Sequence, residues 1–280
     1  MHGTLYLVAT PIGNLEDMTY RAVRILREVD LIAAEDTRNS IKLLNHFEIK
    51  TPMTSYHEHN KYEKADTLVA KLLGGKNIAV ITDAGTPGIS DPGEELVRAA
   101  YEAGIRVVPV PGACAAINAL IASGLSTRRF AFEAFLPSDK KDRKEVLSTL
   151  AKETRTMVVY EAPHRLVRTL EELLEAIGNR RITICRELTK KHEQFFQTTF
   201  EEALIYYKQN EPKGECIVII EGISYTSLKE EAAKQWETMS IPEHIEHYMK
   251  QGMDKKEATK KVAYDRGIPK REVYEFTINL

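Results

Sequence analysis

Short apolar, β-branched runs alternate with stretches of helical period through most of the chain, the pattern of parallel strands covered by helices. Strands are predicted at 5–9 (LYLVA), 31–35 (LIAAE), 77–81 (NIAVI) and 106–110 (RVVPV). A second group follows at 130–135 (FAFEAF), 157–161 (MVVYE), 182–187 (ITICRE) and 216–222 (CIVIIEG). Helical patterns lie between them, among them 20–29, 94–104 and 164–178; in the last, Leu166, Leu170, Leu173, Leu174 and Ile177 make one apolar stripe. The two groups predict an α/β fold of two αβα domains, residues 1–122 and 123–223.

Beyond 223 the pattern changes, and residues 224–280 form a third, smaller module. Residues 240–280 carry no strand signal, only helical segments broken at KQGMD and DRGIPKRE. Between Met253 and Arg271 stand Lys255, Lys256, Lys260, Lys261, Arg266, Lys270 and Arg271 against Asp254, Glu257 and Asp265, a surplus of four positive charges. Ala258, Val262 and Ala263 give one helix an apolar face, and Gly267 separates it from the next, a helix-turn-helix outline. Two readings stay open for this module: a solvated capping or dimerisation pair, and a nucleic-acid contact.

Composition narrows the classes. With 280 residues, 43% hydrophobic, 29% charged and a formal net charge of −2, the chain is expected to be globular, and affinity for an anionic polymer has to come from a local patch. Cys114, Cys185 and Cys216 are odd in number and far apart, as expected of free thiols in a reducing compartment. No apolar run approaches a membrane span and no leader pattern opens the sequence, so a cytoplasmic location is expected. The pairs His57/His59 and His244/His247 lack a third ligand nearby, so no metal is expected, and the second pair is expected at the surface of an amphipathic helix.

Three loops follow predicted strands, where α/β sheets build ligand sites. Residues 9–22 (ATPIGNLEDMTYRA) hold a turn at Pro11 and Gly13 and a capping residue at Thr19, but neither GxxxxGK[ST] nor GxGxxG. Residues 82–93 (TDAGTPGISDPG) combine prolines that fix φ with glycines that permit close approach, a stiff wall with exposed amides. Two successive turns, with Asp91 capping a helix near Gly93, account for the second half of that stretch but not for DAGTPG. Residues 111–120 (PGACAAINAL) place small side chains at a helix start, which serves either a ligand or close packing of helix on sheet.

Taken in order, residues 5–38, 82–93, 108–120, 160–166 (YEAPHRL) and 186–193 (RELTKKHE) resemble the tetrapyrrole methylase superfamily of S-adenosylmethionine-dependent methyltransferases. Within it they are similar to the branch that acts on small-subunit ribosomal RNA and carries a C-terminal helical module. That resemblance implies S-adenosyl-L-methionine between the two αβα domains, a homodimer, and 2′-O-methylation of a cytidine ribose in the decoding centre of 16S rRNA. It assigns Asp83, Ala84, Gly85, Thr86, Pro87, Ile89, Ser90 and Asp91 to the main cofactor loop, Ala115 and Ala116 to a second wall, and Tyr160 to the facing strand end. Pro11 and Gly13 match the first glycine-rich turn, although TPIGN is poorer in glycine than the tetrapyrrole enzymes there.

A ribose hydroxyl needs an acceptor for its proton, for which Glu35, Asp36, Glu161 and Glu187 stand as strand-end carboxylates. Each has a structural alternative as the ion-pair partner of a nearby arginine. Arg38, Arg165, Arg186 and Lys190, with Lys255, Lys256, Lys260, Lys261, Lys270 and Arg271 of the tail, are the candidates for phosphate contacts. A methyltransferase acting on a tetrapyrrole-like small molecule is the alternative with the same fold and cofactor. A non-catalytic RNA-binding protein that uses the tail alone is a third reading, against which DAGTPG argues.

Overall fold

The structure, a computed structural model, describes residues 2–234 and 236–277. Strands β1 (Thr4–Val8), β2 (Leu31–Ala34), β3 (Met53–Ser55), β4 (Ile78–Ile81) and β5 (Arg106–Val110) form a parallel sheet in the order β3-β2-β4-β1-β5. Helices α1 (Tyr20–Glu28) and α2 (Thr37–His46) cover one face, α3 (Lys61–Leu73) and α4 (Gly93–Glu102) the other. The period of two decides which side chain goes where: Ile32 and Ala34 pack toward α1 and α2, and Ala33 toward α3 and α4. Because all five strands run the same way, the loops after β1, β2, β4 and β5 leave from one edge.

The second sheet contains β6 (Phe130–Phe135), β7 (Thr156–Glu161), β8 (Arg181–Arg186), β9 (Gln194–Thr199) and β10 (Cys216–Ile220), in the order β6-β7-β10-β8-β9. It is mixed, contrary to the expectation of parallel sheets: β6 and β7 are parallel, whereas β10 runs antiparallel between β7 and β8, and β9 antiparallel beside β8. Helices α6 (Lys140–Leu150), α7 (Pro163–Ile177) and α8 (Phe200–Tyr207) bury one face, with the predicted leucine stripe of α7 at its centre. The other face is covered by α5 (Ala115–Ala122), whose Ala116, Ala119 and Leu120 pack with Val158, Cys185, Ile217 and Ile219, joined by Ile12 from the first domain. So α5, which a boundary at residue 122 leaves in the first domain, packs on the second sheet.

The remaining helices are α9 (Tyr225–Lys234), α10 (Ile241–Lys250), α11 (Lys255–Arg266) and α12 (Lys270–Thr277). Ile245, Tyr248, Ala258, Val262, Ala263 and Val273 form a small core of their own. Ser240 opens α10 with a capping box to Glu243, and Gly267 closes α11 at φ 63°, the left-handed geometry glycine adopts without strain. The expected surface position of His244 is corrected here. It is fully buried, stacks on Trp236 at 3.8 Å between centroids, and takes the Nε hydrogen of Arg266 on Nδ1 at 3.1 Å. Its side of the helix faces α11, which the helical period of α10 alone does not reveal.

Candidate functional site

The stretch 82–93 is stiff because it is tied on every side. Thr10 and Gly85 exchange backbone hydrogen bonds of 2.8 and 3.1 Å, which pins the loop to the end of β1. Gly85 sits at φ 86°, and a Cβ there would lie 3.2 Å from Ile12 Cγ2, so glycine answers both the turn and the close approach. Thr86 Oγ1 donates to the carbonyl of Ala113 at 2.9 Å, and Tyr56 Oη to that of Pro92 at 2.8 Å. Asp91 accepts the amides of Gly88 and Gly93, so the expected cap at the start of α4 is present.

Between this loop and the second sheet lies a cleft of about 430 Å3, within the range of small-molecule sites. Of the loop and wall residues singled out from the sequence, Ala84, Gly85, Thr86, Ile89, Ser90, Asp91, Ala115 and Tyr160 line it. Pro11, Gly13, Asp83, Pro87 and Ala116 are not among its lining residues. Gly13 is taken up by the domain junction, where a Cβ would meet Lys190 Cγ at 2.4 Å, and Ile12 reaches the cleft in its place. Asp83 accepts the Asp36 amide at 3.1 Å and so ties the β4 loop to the end of β2, while Ala116 packs into the second domain's core.

Sequence reasoning missed Ile12, Thr82, Cys114, Phe135, Ala162, Pro163, Glu215, Cys216 and Ile217 in the lining. Phe135, Ala162 and Pro163 follow the rule of strand C-terminal ends. Glu215, Cys216 and Ile217 do not: they enter at the N-terminal end of β10, which reaches the cleft because β10 is antiparallel, with Cys216 opposite Glu161. Tyr160, packed edge-on against Phe132 and Phe135, has its hydroxyl pushed up to about 12 by burial.

The four carboxylates part company. Glu35 lines the cleft, and its Oε2 accepts Thr82 Oγ1 at 2.5 Å and the Asp83 amide at 3.3 Å; Oε1 has no hydrogen bond among the described residues. Glu161 also lines it but is 3% exposed and engaged at both oxygens, with the Ala162 amide and Arg165 Nε on Oε1 and Thr169 Oγ1 on Oε2. Asp36 caps α2 and holds Arg38 through two bonds of 3.1 and 2.7 Å; the Arg38 guanidinium draws its carboxyl down to about 2. Glu187, in the left-handed region at φ 50°, accepts the Glu215 amide and Lys190 Nζ, the amide being the main cause of its lowered pKa. Asp36 and Glu187 are not in the cleft lining.

The cations sort similarly. Arg165 pairs with Glu161, Lys190 with Glu187 and Glu215, and Arg186 donates to the Lys213 carbonyl and to Gln194 Oε1, so these three hold the second domain's loops together. Arg38 is strongly exposed beside Asp36. Lys255, Lys256, Lys260, Lys261, Lys270 and Arg271 are all exposed on α11 and α12, and Lys261 pairs with Asp265.

A family model for tetrapyrrole (corrin/porphyrin) methylases matches residues 4–204. A protein of Halalkalibacterium halodurans named ribosomal RNA small subunit methyltransferase I is 53% identical over 272 residues, 97% of this chain and 93% of its own length. One of the same name from Synechocystis is 49% identical over 279 residues, 99% and 98% of the two chains. Among solved structures, diphthine synthase is similar with a TM-score of 0.60 at 12% identity, over 78% of this chain and 90% of that one. Uroporphyrin-III C-methyltransferase from Thermus thermophilus complexed with S-adenosyl homocysteine gives 0.53 at 22% identity, over 78% and 97%.

Proposed function

The chain belongs to the tetrapyrrole methylase family of S-adenosylmethionine-dependent methyltransferases, and from that premise we propose that it methylates small-subunit ribosomal RNA. The acceptor in this reading is the ribose 2′-hydroxyl of a cytidine in the decoding centre of 16S rRNA. The observation that supports methylation of small-subunit ribosomal RNA is the match, over nearly the whole length, to relatives that bear this one name; the acceptor atom rests on the sequence resemblance. Diphthine synthase and the Thermus uroporphyrin-III C-methyltransferase each cover 78% of the chain, whereas the ribosomal RNA methyltransferase relatives match 97–99% of it.

The cleft fits the cofactor. It is apolar at Ile12, Ile89, Phe135 and Ile217, bare of side chains at Ala84 and Gly85, and lined by the carboxylate of Glu35, whose Oε1 has no protein partner among the described residues to compete with a cationic ligand. S-Adenosylmethionine, when bound, supplies an electrophilic methyl group on a positively charged sulfur. The chain's part is position and proton transfer. The loop tied down at Thr10, Ala113 and Asp91 keeps its place without reorganising, which is what an in-line transfer requires. Glu35 is the proposed acceptor of the ribose hydroxyl proton, because Oε1 remains available while Thr82 and Asp83 fix Oε2. Glu161 serves as a positioning residue for the turn at Ala162 and Pro163.

In the same reading the protein works in the cytoplasm, as a homodimer, on RNA within the small subunit. No helix among the described residues is long and apolar enough to cross a membrane. The test is transfer of labelled methyl from S-adenosylmethionine to small subunits that lack the modification, followed by nuclease mapping. Label confined to one alkali-resistant dinucleotide containing cytidine supports the proposal. Absence of transfer, with cofactor binding intact by calorimetry, turns the substrate reading toward the tetrapyrrole-like alternative.

A further inference from the structure

A second concavity, of about 280 Å3, lies on the flank of the first domain between α1 and β5. Tyr6, Ile25 and Val108 line it together with Arg21, Arg24 and Arg106. Arg21 and Arg24 are one turn apart on α1 and share a face, and Arg106 reaches the same groove from β5, the edge strand. Their internal commitments are weak. Arg24 pairs with Glu28 at 2.6 Å, but both side chains are more than half exposed, so the pair is readily exchanged for another anion. Arg21 reaches the Pro109 carbonyl at 3.4 Å, and Arg106 has no carboxylate within 4.0 Å among the described residues. Glu28 is the sole acid in the lining, which leaves two surplus positive charges in a chain whose formal net charge is −2.

Helix α1 starts just after the loop that sends Ile12 into the cleft, and runs back along the sheet to the edge where Arg106 opens β5. The groove therefore follows the flank away from the cleft along α1 from Arg21 to Val29, roughly 12 Å at the usual helical rise per residue. Tyr20, which precedes Arg21 at the head of α1, is 97% exposed, so its ring is open to solvent near that end of the groove. Guanidinium groups spread over such a length suit successive phosphodiesters of one strand better than a single phosphate.

Resting on the RNA-methyltransferase reading, we propose that the α1–β5 groove is a binding site for the phosphodiester backbone of the substrate RNA, flanking the reactive nucleotide, with Tyr20 stacking on an unpaired base. Its arginines carry no chemistry; they hold the strand in register with the cleft.

The test compares the whole protein with Arg21→Gln/Arg24→Gln/Arg106→Gln and with Arg106→Gln alone, the latter removing a side chain without an ion-pair partner. Affinity for a short labelled single-stranded RNA is read by fluorescence anisotropy over a salt series, next to the KM for small subunits in methyl transfer and the cofactor Kd. Loss of three phosphate contacts flattens the slope of log affinity against log salt by about 2 and lowers low-salt affinity on the order of 10-fold. The Kd for S-adenosylmethionine stays unchanged, and Arg106→Gln gives about a third of the slope effect. Equal slopes and equal KM for wild type and triple variant overturn the proposal while the methyltransferase reading stands. A wild type that binds RNA with the expected slope difference, yet transfers no methyl to subunits, sinks that reading and keeps the groove. A wild type with no measurable affinity for the short RNA, together with a triple variant of unchanged KM for subunits, overturns the groove, while the methyltransferase reading is decided by transfer to subunits.

Discussion

Asp91 holds the amide of Gly88 with both carboxylate oxygens, at 2.9 and 2.8 Å, while its Oδ1 also takes the amide of Gly93 at 2.7 Å. One side chain thereby closes the turn through Ser90, itself in the left-handed region at φ 59°, and starts α4. Bonds from backbone amides to a charged acceptor contribute roughly 2 kcal/mol each, and the strained Ser90 conformation has to be held against relaxation. Asp91→Ala is expected to lower stability by about 2 kcal/mol in denaturant titration and to raise the cofactor Kd on the order of 10-fold, as the wall at Ile89 and Ser90 loosens. A lowered stability with an unchanged Kd separates the loop from cofactor binding.

Gly13 marks where the two domains meet. A Cβ there would stand 2.4 Å from Lys190 Cγ, 3.0 Å from Thr189 Oγ1 and 3.1 Å from the Leu188 carbonyl oxygen. The lysine stem can give way but the backbone carbonyl cannot do so cheaply. Gly13→Ala is expected to cost about 1–3 kcal/mol, as overpacking does, and to weaken cofactor binding through displacement of Ile12. Adding Lys190→Ala recovers part of the loss. Fully additive effects in that double-mutant cycle contradict the contact.

The sequence made the parallel half of the fold legible because β2 and β4 are apolar runs buried almost throughout, and β1 and β5 beside them are still mostly apolar and β-branched. The three-residue β3 and the polar edge strand β9 (QFFQTT) escaped, since an edge strand half open to water shows neither a continuous apolar run nor a clear boundary. Strand direction escaped as well: nothing local to CIVII says that β10 enters antiparallel between β7 and β8, and this alone brings Cys216 and Ile217 to the cleft. The glycine- and proline-rich stretch was legible as a rigid wall because backbone restrictions are written in residue type. The ion pairs Asp36–Arg38 and Glu161–Arg165 were legible as alternatives, being near in sequence, but Thr169 on Glu161 was not, because it arrives only once α7 has packed on the sheet.

Glu35 and Glu161 line the same cleft, yet their isosteric amides should fail in different ways. Glu35→Gln keeps an acceptor for Thr82 but loses the negative charge at Oε1, so turnover is expected to fall about 10²–10⁴-fold, with stability and cofactor Kd little changed. Glu161→Gln leaves Arg165 and the nearby Arg143 facing a neutral group in a buried network, which is expected to cost about 3 kcal/mol in urea unfolding. Single-turnover methyl transfer at saturating cofactor distinguishes the two. A Glu35→Gln enzyme of near wild-type rate removes that residue as the proton acceptor.

His244 gives the C-terminal module an acid limit. Burial, with the Arg266 charge second, pulls its pKa down from 6.5 to about 4. Asp265 opposes the shift, and His247 and Lys261 add to it. The folded form keeps the imidazole neutral, with Nδ1 accepting from Arg266 Nε, whereas the unfolded chain takes up a proton near pH 6.5. Below that pH the unfolded state binds more protons, so stability present above pH 6.5 is lost as pH falls toward 4. Trp236 is the single tryptophan of the chain and stacks on His244, so its fluorescence reports this module directly. Denaturant midpoints read at Trp236 should fall between pH 6.5 and 4, and His244→Phe should remove most of that slope, since an aromatic ring can keep the stack without a titrating nitrogen. A midpoint just as pH-dependent in His244→Phe would assign the effect to groups other than His244.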